Sequence, residues 1–197
     1  QAILHLPKPT EHFVADLHGE HEAFLHVLRN ASGRIKRRVT DIFSADGPLR
    51  PEGVKPLTEE EQHEFCSLIY YPEQKLELLH QQTELDDEFY HRTLYNLVLI
   101  CRNFSLKYTR SKVRKSLPEE YAYIIEELLH ERIDDANKHA YYEAIISAII
   151  ETRRADHFIV AICNVIQRLA VERLHILGDI FDRGPGAHLI MDHLCEY

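Results

Sequence analysis

The chain has 197 residues, a formal net charge of −9, 45% hydrophobic side chains, and only seven glycines and eight prolines. That balance supports a substantial core and excludes a loop-rich or disordered chain. The negative charge argues against non-specific nucleic-acid binding, and no apolar run approaches the length of a membrane span. The chain opens on Gln1 without the charged and apolar regions of a secretory signal. It is therefore expected to be cytoplasmic, with its natural N-terminus further upstream. The four cysteines Cys66, Cys101, Cys163 and Cys195 form no CxxC pair, which fits reduced thiols buried as small hydrophobes.

In chain order, residues 11–17, EHFVADL, form a short apolar run ending in Asp16. Gly19 follows, and Phe24, Leu25, Val27 and Leu28 then recur on a helical period. The pattern predicts a strand, a tight turn and a helix from about Glu20 to Ala31, stopped between Asn30 and Gly33. Residues 44–56, SADGPLRPEGVKP, carry three prolines and two glycines and read as an exposed loop.

From Thr58 to Glu172 the chain reads as almost wholly helical. TEEEQ is a capping signature with Thr58 as N-cap and Glu61 at the third helical position. Pro72 and Pro118 stand where first-turn prolines belong, each followed by glutamates. Residues 173–178 then predict a second strand, a Gly-rich turn and a helix from about Ala187.

Ligands in open α/β sheets bind beyond the carboxyl ends of the strands, and both charged motifs stand there. In Asp16-Leu17-His18-Gly19 the D-x-H spacing lets a carboxylate and an imidazole converge on one metal ion, while Gly19 permits the sharp turn. In Gly178-Asp179-Ile180-Phe181-Asp182-Arg183-Gly184, Asp179 caps the strand with two oxygens able to bridge two cations. A lone D-x-H is a weak signal, and an isolated Arg183 reads equally as a surface ion pair. The complete G-D-x-x-D-R-G string behind a strand is far more specific.

DLHGE followed by GDIFDRG resembles the first two signature blocks of the calcineurin-like binuclear metallophosphatases. The opening QAILHLPKPTEHFVADLHGEHEAFLHVLRNASG is similar more narrowly to the class III fructose-1,6-bisphosphatases of bacteria. The resemblance implies an α+β, mostly α fold: a partial metallophosphatase α/β unit of two strand–turn–helix pieces, interrupted by a large helical insertion. The expected divisions are 1–43 and 172–197 for the two parts of the phosphatase unit and 44–171 for the insertion.

The resemblance also implies roles. Asp16 and His18 would ligate the first metal and Asp179 would bridge two. Asp182 would orient a catalytic histidine of a later motif, and Arg183 would bind the substrate phosphate. Manganese is the implied cofactor, with magnesium or zinc also compatible with such donors. The implied reaction is hydrolysis of the 1-phosphate of fructose 1,6-bisphosphate, a step of gluconeogenesis.

The family's third block, G-N-H-[DE], is absent, and no Asn-His pair occurs anywhere in the chain. The chain therefore reads as an N-terminal portion of a longer enzyme, expected to hydrolyse the sugar bisphosphate negligibly by itself. Its exposed strands lead to an expectation of self-association. Two other readings stand beside this one. The first is a related metallophosphatase acting on phosphoproteins or dinucleoside polyphosphates. The second is a non-catalytic helical interaction module carrying vestigial motifs.

Other signals are weaker. His21-Glu22 with His26 has one residue too many for HExxH. Asp156-His157 and Asp192-His193 read as helix-surface or capping pairs. The basic stretches Arg34–Arg38 (RIKRR) and Arg102–Lys115 read as solvated helix faces. The alternative for the second is an anion site for a distal phosphate or a nucleotide effector, and phosphate contact is equally open for the first.

Overall fold

A computed structural model describes residues 10–130 and 136–196. The opening QAILHLPKP, part of the resemblance above, lies outside the described residues, as does Tyr197. In chain order the elements are β1 (Glu11–Val14), α1 (His21–Asn30), α2 (Arg34–Phe43), α3 (Glu59–Tyr70), α4 (Pro72–Gln82) and α5 (Asp87–Ser105). Then come α6 (Arg110–Ser116), α7 (Ala122–His130), α8 (Ala136–Glu151), α9 (Ala155–Ala170), β2 (Arg173–Ile176) and α10 (Ala187–Glu196). The architecture is mostly helical with one small sheet.

The main core is helical. Leu94, Leu97, Val98, Cys101 and Phe104 place the buried stripe of α5 at three- and four-residue spacing. It packs against Phe158, Ile159, Ile162, Cys163 and Ile166 of α9. α2 joins the same core through Ile35, Val39, Ile42 and Phe43, all buried. RIKRR thus opens an amphipathic helix whose apolar positions follow an i, i+4, i+7, i+8 pattern.

Local chemistry explains the helix starts. The Thr58 side chain accepts a hydrogen bond from the Glu61 N–H at 3.2 Å, and the Glu61 carboxylate accepts one from the Thr58 N–H at 2.9 Å. These reciprocal bonds satisfy two donors that a helix start leaves open. Thr58→Ala is accordingly expected to lower stability by about 1 kcal/mol, read as a reduced thermal midpoint. Pro72 is the first residue of α4. Pro118, by contrast, precedes a 3-10 turn over Glu119–Tyr121, and α7 begins only at Ala122. Its extended ψ of 136° cannot continue a helix, so it serves as an entry residue rather than a first-turn one.

Cys66, Cys101 and Cys163 are buried, and burial pushes the Cys66 thiol up to about 11. Cys195 is exposed on α10, which corrects the expectation of four buried thiols. Asp156 does stand in the first turn of α9, where its carboxylate accepts from Tyr90 Oη at 2.9 Å and pairs with His80 at 2.8 Å. No helix among the described residues is long and apolar enough to cross a membrane.

The two strands pair in parallel, with Glu11 opposite Arg173 and Val14 opposite Ile176. Both strands consequently leave the sheet at the same end. Each strand is shorter than its apolar run, because the residues that follow turn sharply to build the site. A second, smaller core lies beneath that end, made by Leu17, Phe24, Leu28 and Ile190, with Val14, Leu174, Ile176, Ile180 and Leu194 packed around it. Phe13, Leu177 and Phe181 stay largely exposed around the sheet.

Candidate metal centre

Past Val14 and Ile176 the two segments interlock. Leu177 N–H donates to Val14 O at 2.9 Å, His18 N–H to Asp179 O at 2.7 Å and Gly19 N–H to Ile180 O at 2.9 Å. In return Gly184 N–H donates to His18 O at 2.6 Å and Gly186 N–H to Gly19 O at 3.0 Å. These bonds run between the two turns in both directions, which fixes their mutual position. Glycine is required where they cross. A Cβ on Gly19 would run into the Gly184 carbonyl, and one on Gly184 into the His18 carbonyl.

The same turns hold an unusual concentration of left-handed backbone. Asp16 (φ 56°), His18 (φ 46°), Asp179 (φ 52°) and Arg183 (φ 76°) all have positive φ without being glycine. Such conformations carry roughly 1–2 kcal/mol each for residues with a Cβ. They persist where surrounding contacts over-determine the chain, as the interlocked hydrogen bonds do here. Leu17 points the other way, into the small core. Its burial sets the alternation that turns Asp16 and His18 outward.

Asp16, His18 and Asp179 come together: one donor atom from each lies within 4.8 Å of the others. The two carboxylates are exposed and the imidazole is half-buried. His18 Nδ1 lies 2.8 Å from Asp182 Oδ1. An ionised carboxylate only accepts, so Nδ1 is the donor here, and in the neutral imidazole that leaves the lone pair on Nε2. Nε2 is on the Asp16 side, 3.7 Å from Asp16 Oδ1. A histidine held through one nitrogen by a carboxylate and free at the other is the usual form of a metal-ligating imidazole. The hydrogen bond from His18 also holds the Asp182 carboxyl below its usual value.

Asp182 was linked by the resemblance to a histidine of a later motif. In this chain its partner is His18, a contact across 164 positions of sequence. Arg183 is strongly exposed, with its Nε 3.6 Å from Asp182 Oδ2. The guanidinium thus stands beside the carboxylate that holds His18. Sequence reasoning missed the Asp182–His18 pair and the crossing of the glycines. Only the recurrence of glycine in both motifs hinted at the crossing.

The profile described as Firmicute fructose-1,6-bisphosphatase matches residues 1–197, the whole chain. The chain belongs to that family. It is 60% identical to the class 3 fructose-1,6-bisphosphatase of Bacteroides fragilis over all of its length, covering 28% of that protein. It is 62% identical to the class 3 enzyme of Phocaeicola vulgatus and 56% identical to that of Clostridium acetobutylicum, with the same coverage: all of this chain and 28% of each relative. The chain therefore spans little more than a quarter of the length of these curated relatives. No solved structure gives a significant match.

The donor set fits a divalent ion of the magnesium, manganese or zinc type. Two carboxylates and one imidazole are hard to borderline ligands. They project from neighbouring strand tips, and a third carboxylate, that of Asp182, fixes the imidazole.

Proposed function

We propose that this chain contributes the first metal ligands and the phosphate-binding arginine of a manganese-dependent fructose-1,6-bisphosphatase, acting in the cytoplasm in gluconeogenesis. The reaction proposed is removal of the 1-phosphate from fructose 1,6-bisphosphate to give fructose 6-phosphate. The convergence of Asp16, His18 and Asp179 carries this reading, because only the interlocked turns bring together residues so distant in sequence.

In this proposal Asp16, His18 through Nε2 and Asp179 would hold the divalent ions, with Asp179 as the ligand common to both. Bound divalent ions supply Lewis acidity at the phosphoryl group. Asp182 keeps His18 in the tautomer that presents Nε2 outward. Arg183, extended and unburied, offers a planar fork that matches two phosphate oxygens. The phosphatase unit comprises residues 1–43 and 172–197, and 44–171 form the helical insertion, whose core also seats α2. The exposed Phe13, Leu177 and Phe181 around a two-stranded sheet support its coverage by further strands or by a second copy.

The test is phosphate release by the full-length protein across a panel of sugar bisphosphates, phosphopeptides and dinucleoside polyphosphates. The expected result is manganese-dependent turnover of fructose 1,6-bisphosphate well above the rest. A clear preference for phosphopeptide would instead establish a protein phosphatase.

A further inference from the structure

Two basic segments far apart in sequence meet on the helical core. Arg34 and Arg38 stand one turn apart on α2, and both guanidiniums lie over the ring of buried Phe104, 5.9 and 5.5 Å from its centroid. Lys107 follows directly on α5 with a side chain only 16% exposed. Its ammonium and that of Lys112 both lie over Tyr108, at 4.6 and 4.7 Å.

Counter-charge is scarce in this cluster. Glu172 is its one ion-pairing carboxylate among the described residues, 2.9 Å from Lys112 and 3.6 Å from Lys107. Its Oε2 also accepts the Thr10 N–H. Arg34 and Arg38 have neither a hydrogen bond nor an ion pair among the described residues, and Arg34 Nε is buried without a partner. Asp41, next to Arg38, contributes attraction at a distance only.

Intrahelical forces do not favour the arrangement either. α2 has no acidic residue in its first turn and no side-chain cap, so its cations gather at the positive end of the helix dipole. Like charges four residues apart repel. Burial, with the added charge of Arg34, pushes Lys107 down to about 8 and lowers Arg38 as well. Half-buried cations held this close are stabilised by an anion that accepts several charge-assisted hydrogen bonds.

We propose that Arg34, Arg38 and Lys107 form a binding site for the phosphate group of a small free molecule, separate from the metal centre. The separation follows from the sheet. Lys107 Nζ donates to Thr10 Oγ1 at 2.8 Å, and Thr10 and Glu172 immediately precede β1 and β2. Asp16 and Asp179 follow those same strands, so a whole strand length, roughly 13 Å, lies between. The cluster is therefore a second ligand site and not a subsite for the far phosphate of a molecule bound at the metals. Recession of the cations against Phe104 and Tyr108 favours a small phosphate over an extended lipid surface.

The probe is inorganic pyrophosphate, titrated calorimetrically into the full-length protein in chloride buffer of constant ionic strength. A chelator keeps the metal centre empty, so the outcome does not depend on the proposed hydrolysis. Saturable binding is expected, weakened about tenfold by Arg34→Gln and by Lys107→Met, since each removes a charge-assisted contact. Lys115→Gln, an exposed change of the same charge, is expected to leave affinity unaltered. Circular dichroism and thermal melting of each variant confirm that the helical core is intact, and Arg34→Gln carries the test if Lys107→Met fails to fold. Absence of binding, equal weakening by all three variants, or binding only to phosphatidylglycerol vesicles would overturn the proposal.

Discussion

Gly19→Ala is expected to open the interlocked turns while leaving the helical core folded. The substitution places a methyl group on a backbone with φ of +70° and drives it into the Gly184 carbonyl, itself fixed main chain. The left-handed conformation costs roughly 1–2 kcal/mol, and displacing Gly184 sacrifices hydrogen bonds worth about 1 kcal/mol each, for a local loss of about 3 kcal/mol. The small core under the sheet is separate from the helical one, so the loss is felt locally first. Hydrogen exchange reads this directly. The amides of His18, Gly19, Gly184 and Gly186 are expected to lose protection, and those of α5 and α9 to keep theirs. Uniform loss across both cores, or no loss at all, would refute the view that these turns form a cooperative unit. Gly184→Ala creates the reciprocal clash with the His18 carbonyl and is expected to give the same pattern.

The crossing explains which parts of the molecule were legible in the sequence. Both strand–turn–helix pieces could be read because an apolar run followed by aspartate, glycine and a helical period is a local signal. The capping box at Thr58 was legible for the same reason, since its partners are three residues apart. α2 was obscured because RIKRR drew attention to its charge. Ile35, Val39, Ile42 and Phe43 nevertheless carry a clear helical period once the segment is extended. The partner of Asp182 and the meeting of Arg34 and Arg38 with Phe104 depend on tertiary packing. No local pattern encodes such contacts. The left-handed Ala31 and Ser32 after α1 are of this kind too. Gly33 announces the stop, but the two residues before it are held by the chain's turn into α2.

The three-donor group itself was legible as residue types, and its convergence was the structural expectation most open to failure. Parallel pairing of β1 with β2 resolves it, since only a parallel pair delivers both motifs to one end of the sheet. An antiparallel pair would have placed Asp16 and Asp179 at opposite ends. The helical segment between β1 and β2 is thus a crossover connection as well as a core. Thr10 O accepts from both Glu172 N–H and Arg173 N–H, at 3.0 and 3.2 Å, so the register is set where the helical segment re-enters the sheet. The position of the three-donor group accordingly depends on the packing of helices that supply none of its members.

Asp179→Asn separates this chemistry from stability. Asp179 is exposed and has a φ of 52°, a conformation that asparagine tolerates as well as aspartate does. Its carbonyl still accepts from His18 N–H, because that bond uses the main chain. The thermal midpoint is therefore expected to stay within about 2 °C of the parent, a change well under 1 kcal/mol. Removing one negative oxygen from the proposed bridging position is expected to lower manganese-dependent phosphate release by the full-length protein about a hundredfold or more, with weaker manganese binding by paramagnetic resonance. Asp182→Asn is the informative contrast. In the proposed arrangement it acts through His18 and not on the ion, and loss of such an orienting partner costs about 10–100-fold. The expected order is thus Asp179 above Asp182, with both folds intact. Full activity in Asp179→Asn would place the metals elsewhere, and a collapsed melting curve would make the residue a structural cap of β2.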